Sequence, residues 1–94
     1  MNKKHEAEFN IMLLEASKDK KLFHKVIKSL LTQSELKEIV TRWQIVKKLS
    51  NGIPQRQIAK DLKIGIATVT RGSREYSNKK GGFVSILSKL SSKK

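Results

Sequence analysis

Along the 94-residue chain, apolar residues recur at helical spacing and strand-like alternation is absent. Residues 6 to 17 carry Phe9, Ile11, Met12, Leu13 and Leu14, too dense for a one-sided stripe. The pattern predicts a short helix covered on more than one side, and a partner chain can supply the second cover. After a charged break at residues 18 to 21, a clear helical stripe follows in Leu22, Phe23, Val26, Ile27, Leu30 and Leu31. Thr32 and Glu35 have the spacing of a T-x-x-E capping box and open a third helix. Along it Leu36, Ile39, Val40, Trp43, Val46 and Leu49 recur, and Asn51 and Gly52 stop it. Pro54 suits the opening of the next helix, at residues 55 to 62, with Ile58, Ala59 and Leu62 inward. A break at residues 63 to 65 precedes another helix from 66 to about 76, with Val69 inward. Residues 78 to 82 read as a flexible basic break before a weak last helix at 83 to 90, and the terminal SSKK as a frayed tail.

This length suits one domain with a small core, and a chain so short gains from oligomerisation. There is no cysteine, which excludes disulfides and thiolate zinc sites. No apolar run approaches a membrane span, and MNKKHEAEF carries acids where a signal peptide needs an apolar core. The expectation is a soluble, cytoplasmic protein that binds no metal. Charge changes the picture most: 21 basic residues against 8 acidic give +13. That points to a polyanion, nucleic acid or an anionic surface, against the plainer alternative of a well-solvated exterior. An enzyme is the weakest class, because His5 and His24 are the only histidines and no nucleophile–base pair emerges.

The stretch QRQIAKDLKIGIATVTR, residues 55 to 71, has the form of two short helices with a tight joint. Ile58, Leu62, Ile64 and Val69 can share one core between steeply crossed helices, with Ala59 small at the closest approach, so that the second helix is held outward. An ordinary helical hairpin is the alternative. Lys63 stands where many helix-turn-helix motifs have glycine; a left-handed lysine costs about 1 kcal/mol, and Gly65 is placed to relieve it. The segment IGIATVTRGS, residues 64 to 73, contains no lysine in a lysine-rich chain. Close approach to base edges explains this: Ile66, Ala67, Thr68 and Thr70 offer methyl groups, hydroxyls and room for water. Lys60, Lys63, Lys79 and Lys80 are placed around that surface for phosphates, and Arg56 for a guanine or a phosphate. With Gln55, Gly65, Ser73 and Arg74 these complete the candidate DNA-facing set.

IGIATVTRGS, with LTQSELKEIVTRWQIVKKL and NGIPQRQIAKDL before it, resembles the bacterial tryptophan repressor family, most strongly over residues 31 to 73. The resemblance implies an all-α, intertwined homodimer with a helix-turn-helix. Residues 1 to 94 would form a single domain: dimerisation helices at 6 to 50, the helix-turn-helix at 55 to 76, and a weak basic C-terminal helix and tail at 79 to 94. It implies a repressor that binds L-tryptophan as co-repressor, then operator DNA, and controls genes of tryptophan biosynthesis or transport. Arg42 and Arg71 match the family's two ligand-binding arginines, which come from different subunits and flank the indole. Thr32 matches a pocket threonine, Gly72 the glycine that leaves space for the ring, and Leu31 and Ser29 positions whose carbonyls meet the ligand's ammonium.

From the residues alone, a salt bridge with Glu38 one turn away is the favoured reading of Arg42, and Arg71 could equally hold a phosphate. The chain also departs from the family. Glu75 stands where the family has a serine contacting the ligand's amine; a carboxylate there either pairs with the ammonium or repels the ligand's carboxylate. The loop after Gly52 is one residue shorter, Ala59 replaces a lysine that touches the DNA backbone, and Arg74 replaces an asparagine near the DNA. Two rival readings stand beside the repressor. One is a helix-turn-helix regulator with another effector or none. The other is a basic helical RNA- or protein-interaction module, disfavoured by the scarcity of aromatics for base stacking.

Overall fold

The computed structural model describes residues 1–92. Over that span it is all-helical: α1 (Lys3–Ala16), α2 (Lys20–Leu30), α3 (Gln33–Ser50), α4 (Gln55–Leu62), α5 (Ile66–Ser77) and α6 (Gly82–Ser92). Each start has a local cause. The Asn2 side chain accepts from the Lys4 and His5 amides, and the Asp19 carboxylate from those of Lys21 and Leu22. Because Asp19 caps α2, the helix begins inside the charged stretch expected as a break, and Lys20 and Lys21 lie in its first turn. The capping box of α3 is reciprocal. Thr32 Oγ1 accepts from the Glu35 amide at 3.1 Å, and Glu35 Oε1 from the Thr32 amide at 2.8 Å. The Thr32 backbone amide, and then its hydroxyl, hold the Glu35 carboxyl below the usual glutamate range.

The stops are equally specific. Gly52, at φ +79°, ends α3 while the Ile53 amide reaches back to Lys48 O at 3.1 Å. Lys63 ends α4 in the left-handed region, at φ 57° and ψ 46°, with the Ile64 amide donating to Ala59 O at 3.0 Å. Gly65 does not relieve this turn. It lies at φ −70° and ψ 150°, backbone that any residue adopts, and simply precedes α5. Lysine therefore bears the strain itself. Between α5 and α6 the expected flexible break is a closed turn: Asn78 Oδ1 accepts from the Lys80 amide and Asn78 O from that of Gly81. Ser91 and Ser92 extend α6 where a frayed tail was expected; Lys93 and Lys94 lie outside the described residues.

The chain divides into two compact units, Met1–Lys37 and Glu38–Lys94. In the first, α1 packs on α2 and Ala16 is the buried residue. Phe9, Ile11, Leu14, Leu22, Phe23 and Leu30 remain exposed. In the second, Ile45, Ile58 and Val69 are fully buried together, with Leu49, Ile53, Ala59, Leu62 and Ile64 packed around them. The predicted core of Ile58, Leu62, Ile64 and Val69 is thus present, and Leu49 of the expected α3 stripe packs against it, but its fully buried α3 member is Ile45, outside that stripe. Ile39 and Val40, inside that stripe, are exposed. Trp43 meets Phe83 with ring centroids 5.7 Å apart, giving the weakly patterned α6 an aromatic anchor.

Candidate nucleic-acid interface

Around Lys63, α4 and α5 pack directly on one another. At 100° per residue, Val69 and Gly72 fall on one face of α5, and Ala67, Thr70 and Arg74 on the opposite face, with Ile66 at its margin. Burial agrees: Val69 and Gly72 are buried, whereas those four are exposed, Ile66 by about half. Thr68 and Ser73 are half-buried at the edges, so neither stands at the centre of the outward surface. Arg56 and Lys60 on α4, and Lys63, Lys79 and Lys80 in the turns, are exposed around it.

Two hydroxyls of that surface have internal work. Thr70 Oγ1 lies 3.0 Å from Ile66 O and 3.1 Å from Gln55 Oε1, and its single proton serves one acceptor at a time. When it points to Gln55, the first residue of α4 is tied to the middle of α5, and the Gln55 amide nitrogen is left to donate elsewhere. Ser73 Oγ donates to Thr70 O at 2.6 Å. Gln55 and Thr70 thus form one coupled polar pair, which spacing alone did not reveal.

Gly72 has a packing reason that the sequence reading missed. A Cβ there would stand 2.9 Å from Ile45 Cγ2 and 3.1 Å from Ile45 Cδ1. The missing side chain therefore lets α5 close on α3, and the space beside it is filled by Ile45. A glycine within an amphipathic helix was the available signal.

The candidate effector residues are placed as follows. Arg42 and Arg71 are exposed, on α3 and α5 of the second unit, and Glu75 is exposed one turn beyond Arg71. Among the described residues the one ion pair is Lys18 with Glu15, so Arg42 does not pair with Glu38 and both guanidiniums lack a carboxylate partner. Leu31 is half-buried at the C-terminal cap of α2, and the Thr32 hydroxyl is committed to the Glu35 amide. Among the described residues no group of three or more His, Cys, Asp or Glu gathers for a metal, and no helix is long and apolar enough to cross a membrane.

Comparison with known proteins adds the family. The model of the Trp repressor protein family matches residues 6–91. A Trp operon repressor homolog of Vibrio campbellii is 35% identical over 81 residues, covering 80% of this chain and 81% of the relative. One of Vibrio vulnificus is 40% identical over 68 residues, covering 71% and 67%. One of Photobacterium profundum is 41% identical over 54 residues, covering 56% and 52%. No solved structure matches. With its family match running through all six helices, the chain belongs to the Trp repressor family of transcriptional repressors, which are not enzymes.

Proposed function

We propose that this chain represses transcription as a homodimer that reads operator DNA through α4 and α5, and that L-tryptophan is its co-repressor. The genes controlled would be those of tryptophan biosynthesis or transport, with the protein acting in the cytoplasm. The observation that carries the reading is the outward face of α5. It is a surface of short side chains, Ile66, Ala67 and Thr70, braced by fully buried Val69 and by Gly72 against Ile45, and ringed by exposed cations. Short side chains allow close approach to base edges, while the surrounding cations meet phosphates. A two-fold dimer presents two such helices to successive major grooves, about 34–36 Å apart. Exposed apolar residues on α1 and α2 support pairing with a second copy.

For the effector, Arg42 and Arg71 have guanidinium groups without a carboxylate partner among the described residues, which suits them to an aromatic face and an amino-acid carboxylate. Bound tryptophan would supply an indole and a carboxylate between them. A second reading, the same repressor with another effector or none, is favoured by two observations. Glu75 places a negative charge one turn from Arg71, and Ile45 fills the space beside Gly72.

Selection from a random duplex pool, with and without L-tryptophan, tests the proposal. Enrichment of one two-fold-symmetric sequence only with tryptophan supports it. Enrichment independent of tryptophan favours the second reading, and no enrichment under either condition rejects sequence-specific binding. On the enriched duplex, Lys60→Ala should weaken binding to all sequences alike, whereas Thr70→Ala or Ile66→Ala should chiefly erode preference.

A further inference from the structure

The first unit carries a basic surface that the proposed helix-turn-helix does not use. Lys21, Lys25 and Lys28 recur on α2 at intervals of four and three residues, which puts them on one face. All three are exposed, as is His24 beside them. Leu22 and Val26, each about 100° round the helix from the preceding lysine, meet α1 across an apolar cleft lined also by Ile11, Met12 and Ala16. The lysines therefore stand away from the apolar side of the helix.

Their placement opposes local preference at the start of the helix, whereas Lys28 lies in the last turn, where the helix dipole favours a cation. Like charges one turn apart repel, as Lys21 does with Lys25 and Lys25 with Lys28. Lys20 and Lys21 occupy the first turn, where the helix dipole disfavours cations, and no acidic residue lies within that turn. Among the described residues none of these lysines has a carboxylate within salt-bridge distance; the one ion pair takes Lys18 instead. The Asp19 cap offsets the charge of the first turn, but Lys21, Lys25 and Lys28 form no ion pair among the described residues, so a polyanion outside the chain is the complementary partner. An anionic membrane is the poorer fit, because an interfacial helix needs its apolar face for lipid, whereas Leu22 and Val26 line the cleft with α1 and the exposed Phe23 and Leu30 belong to the apolar surface assigned above to a second copy. A duplex fits by charge and by length. From Lys21 to Lys28 the stripe runs about 10 Å along the helix axis, while one DNA strand carries a charge about every 3.4 Å.

We propose that Lys21, Lys25 and Lys28 form a second phosphate-binding stripe, which holds duplex DNA by its backbone and independently of base sequence. The inference rests on duplex DNA being the partner, as argued above for α4 and α5. Its test is the salt dependence of binding to a random-sequence duplex several helical turns long, with the full chain and the variant Lys21→Gln/Lys25→Gln/Lys28→Gln. Each lysine seated on a phosphate contributes about 0.9 to the log–log slope. The triple variant should lose about 2 to 3 from the slope per engaged chain, without a lower thermal midpoint, and the matching triple arginine variant should keep it. An unchanged slope in a variant that still binds DNA overturns the stripe and leaves the helix-turn-helix reading standing. Failure of the native chain to bind any duplex overturns both. Vesicles of phosphatidylserine and phosphatidylcholine provide the other arm: vesicle binding lost in the triple variant with an unchanged duplex slope would assign the stripe to lipid and overturn the proposal.

Discussion

Residues Met1–Lys37 and Glu38–Lys94 are built from the same kinds of helices, yet they solve burial differently. The second unit closes a core on itself, with Ile45, Ile58 and Val69 no more than 1% exposed. The first leaves Ile11 and Leu14 about two-thirds exposed and buries only Ala16 fully. Charge divides the same way. The first unit holds eight basic residues against five acidic, the second thirteen against three. A short chain can complete one small core and leave another open for a partner copy, at the expense of stability when that copy is absent. The strongly charged unit is the self-packed one, as would suit the proposed reading head, which must keep its shape on DNA.

The sharpest break between the units should appear in core truncations. Ile58→Ala removes a fully buried side chain and should cost about 2–5 kcal/mol, by chemical denaturation, at every protein concentration. Leu14→Ala should instead make the unfolding midpoint depend more steeply on dilution, because its cover would come from a second copy. Equal, concentration-independent losses would erase the distinction. Next in size is Gly72→Ala. Its methyl would overlap buried Ile45, and overpacking of this kind costs about 1–3 kcal/mol. Calorimetry should show a lower midpoint, and Ile45→Val in the same chain should recover part of it by removing Cδ1.

Lys63→Gly should act in the opposite direction, stabilising by about 1 kcal/mol because glycine adopts the left-handed turn without the Cβ clash. A stabilised variant with weaker duplex binding would show that the lysine is kept for phosphate contact. The smallest effect belongs to the first unit. Glu35 has its carboxyl lowered by the Thr32 amide and hydroxyl, so its capping contribution is fully present above the ordinary glutamate value, about 4.3. That contribution is lost as pH falls through the lowered folded value. Glu35→Gln, which retains the reciprocal cap, should flatten this acid limb in circular dichroism.

Much of this was legible in the residues. The capping box at Thr32 and Glu35 and the stop at Gly52 follow from local chemistry, and the structure has both. The inward set Ile58, Leu62, Ile64 and Val69 follows from helical spacing. What escaped depends on contacts distant in sequence. Ile45 lies beside Val46 on α3, and only the packing of α5 decides that it joins the shared core. The same approach explains Gly72, whose role is set by a residue 27 positions earlier. Thr70 and Gln55 are linked by a hydrogen bond between two helices, and Trp43 and Phe83 by contact of two rings, neither of which has a periodic signature. The start of α2 was missed for a local reason, since Asp19 outweighs two lysines in the first turn.

The proposed switch couples two sites, so its most direct measurement is calorimetric titration of L-tryptophan into the native chain, alone and with a saturating duplex from the selection. The duplex should tighten tryptophan binding by the same factor by which tryptophan tightens duplex binding, because coupling free energy is reciprocal. Arg71→Ala should reduce both factors to unity while leaving salt-dependent binding to random duplex. Tryptophan binding absent in both titrations, or unchanged by the duplex, would contradict the tryptophan switch.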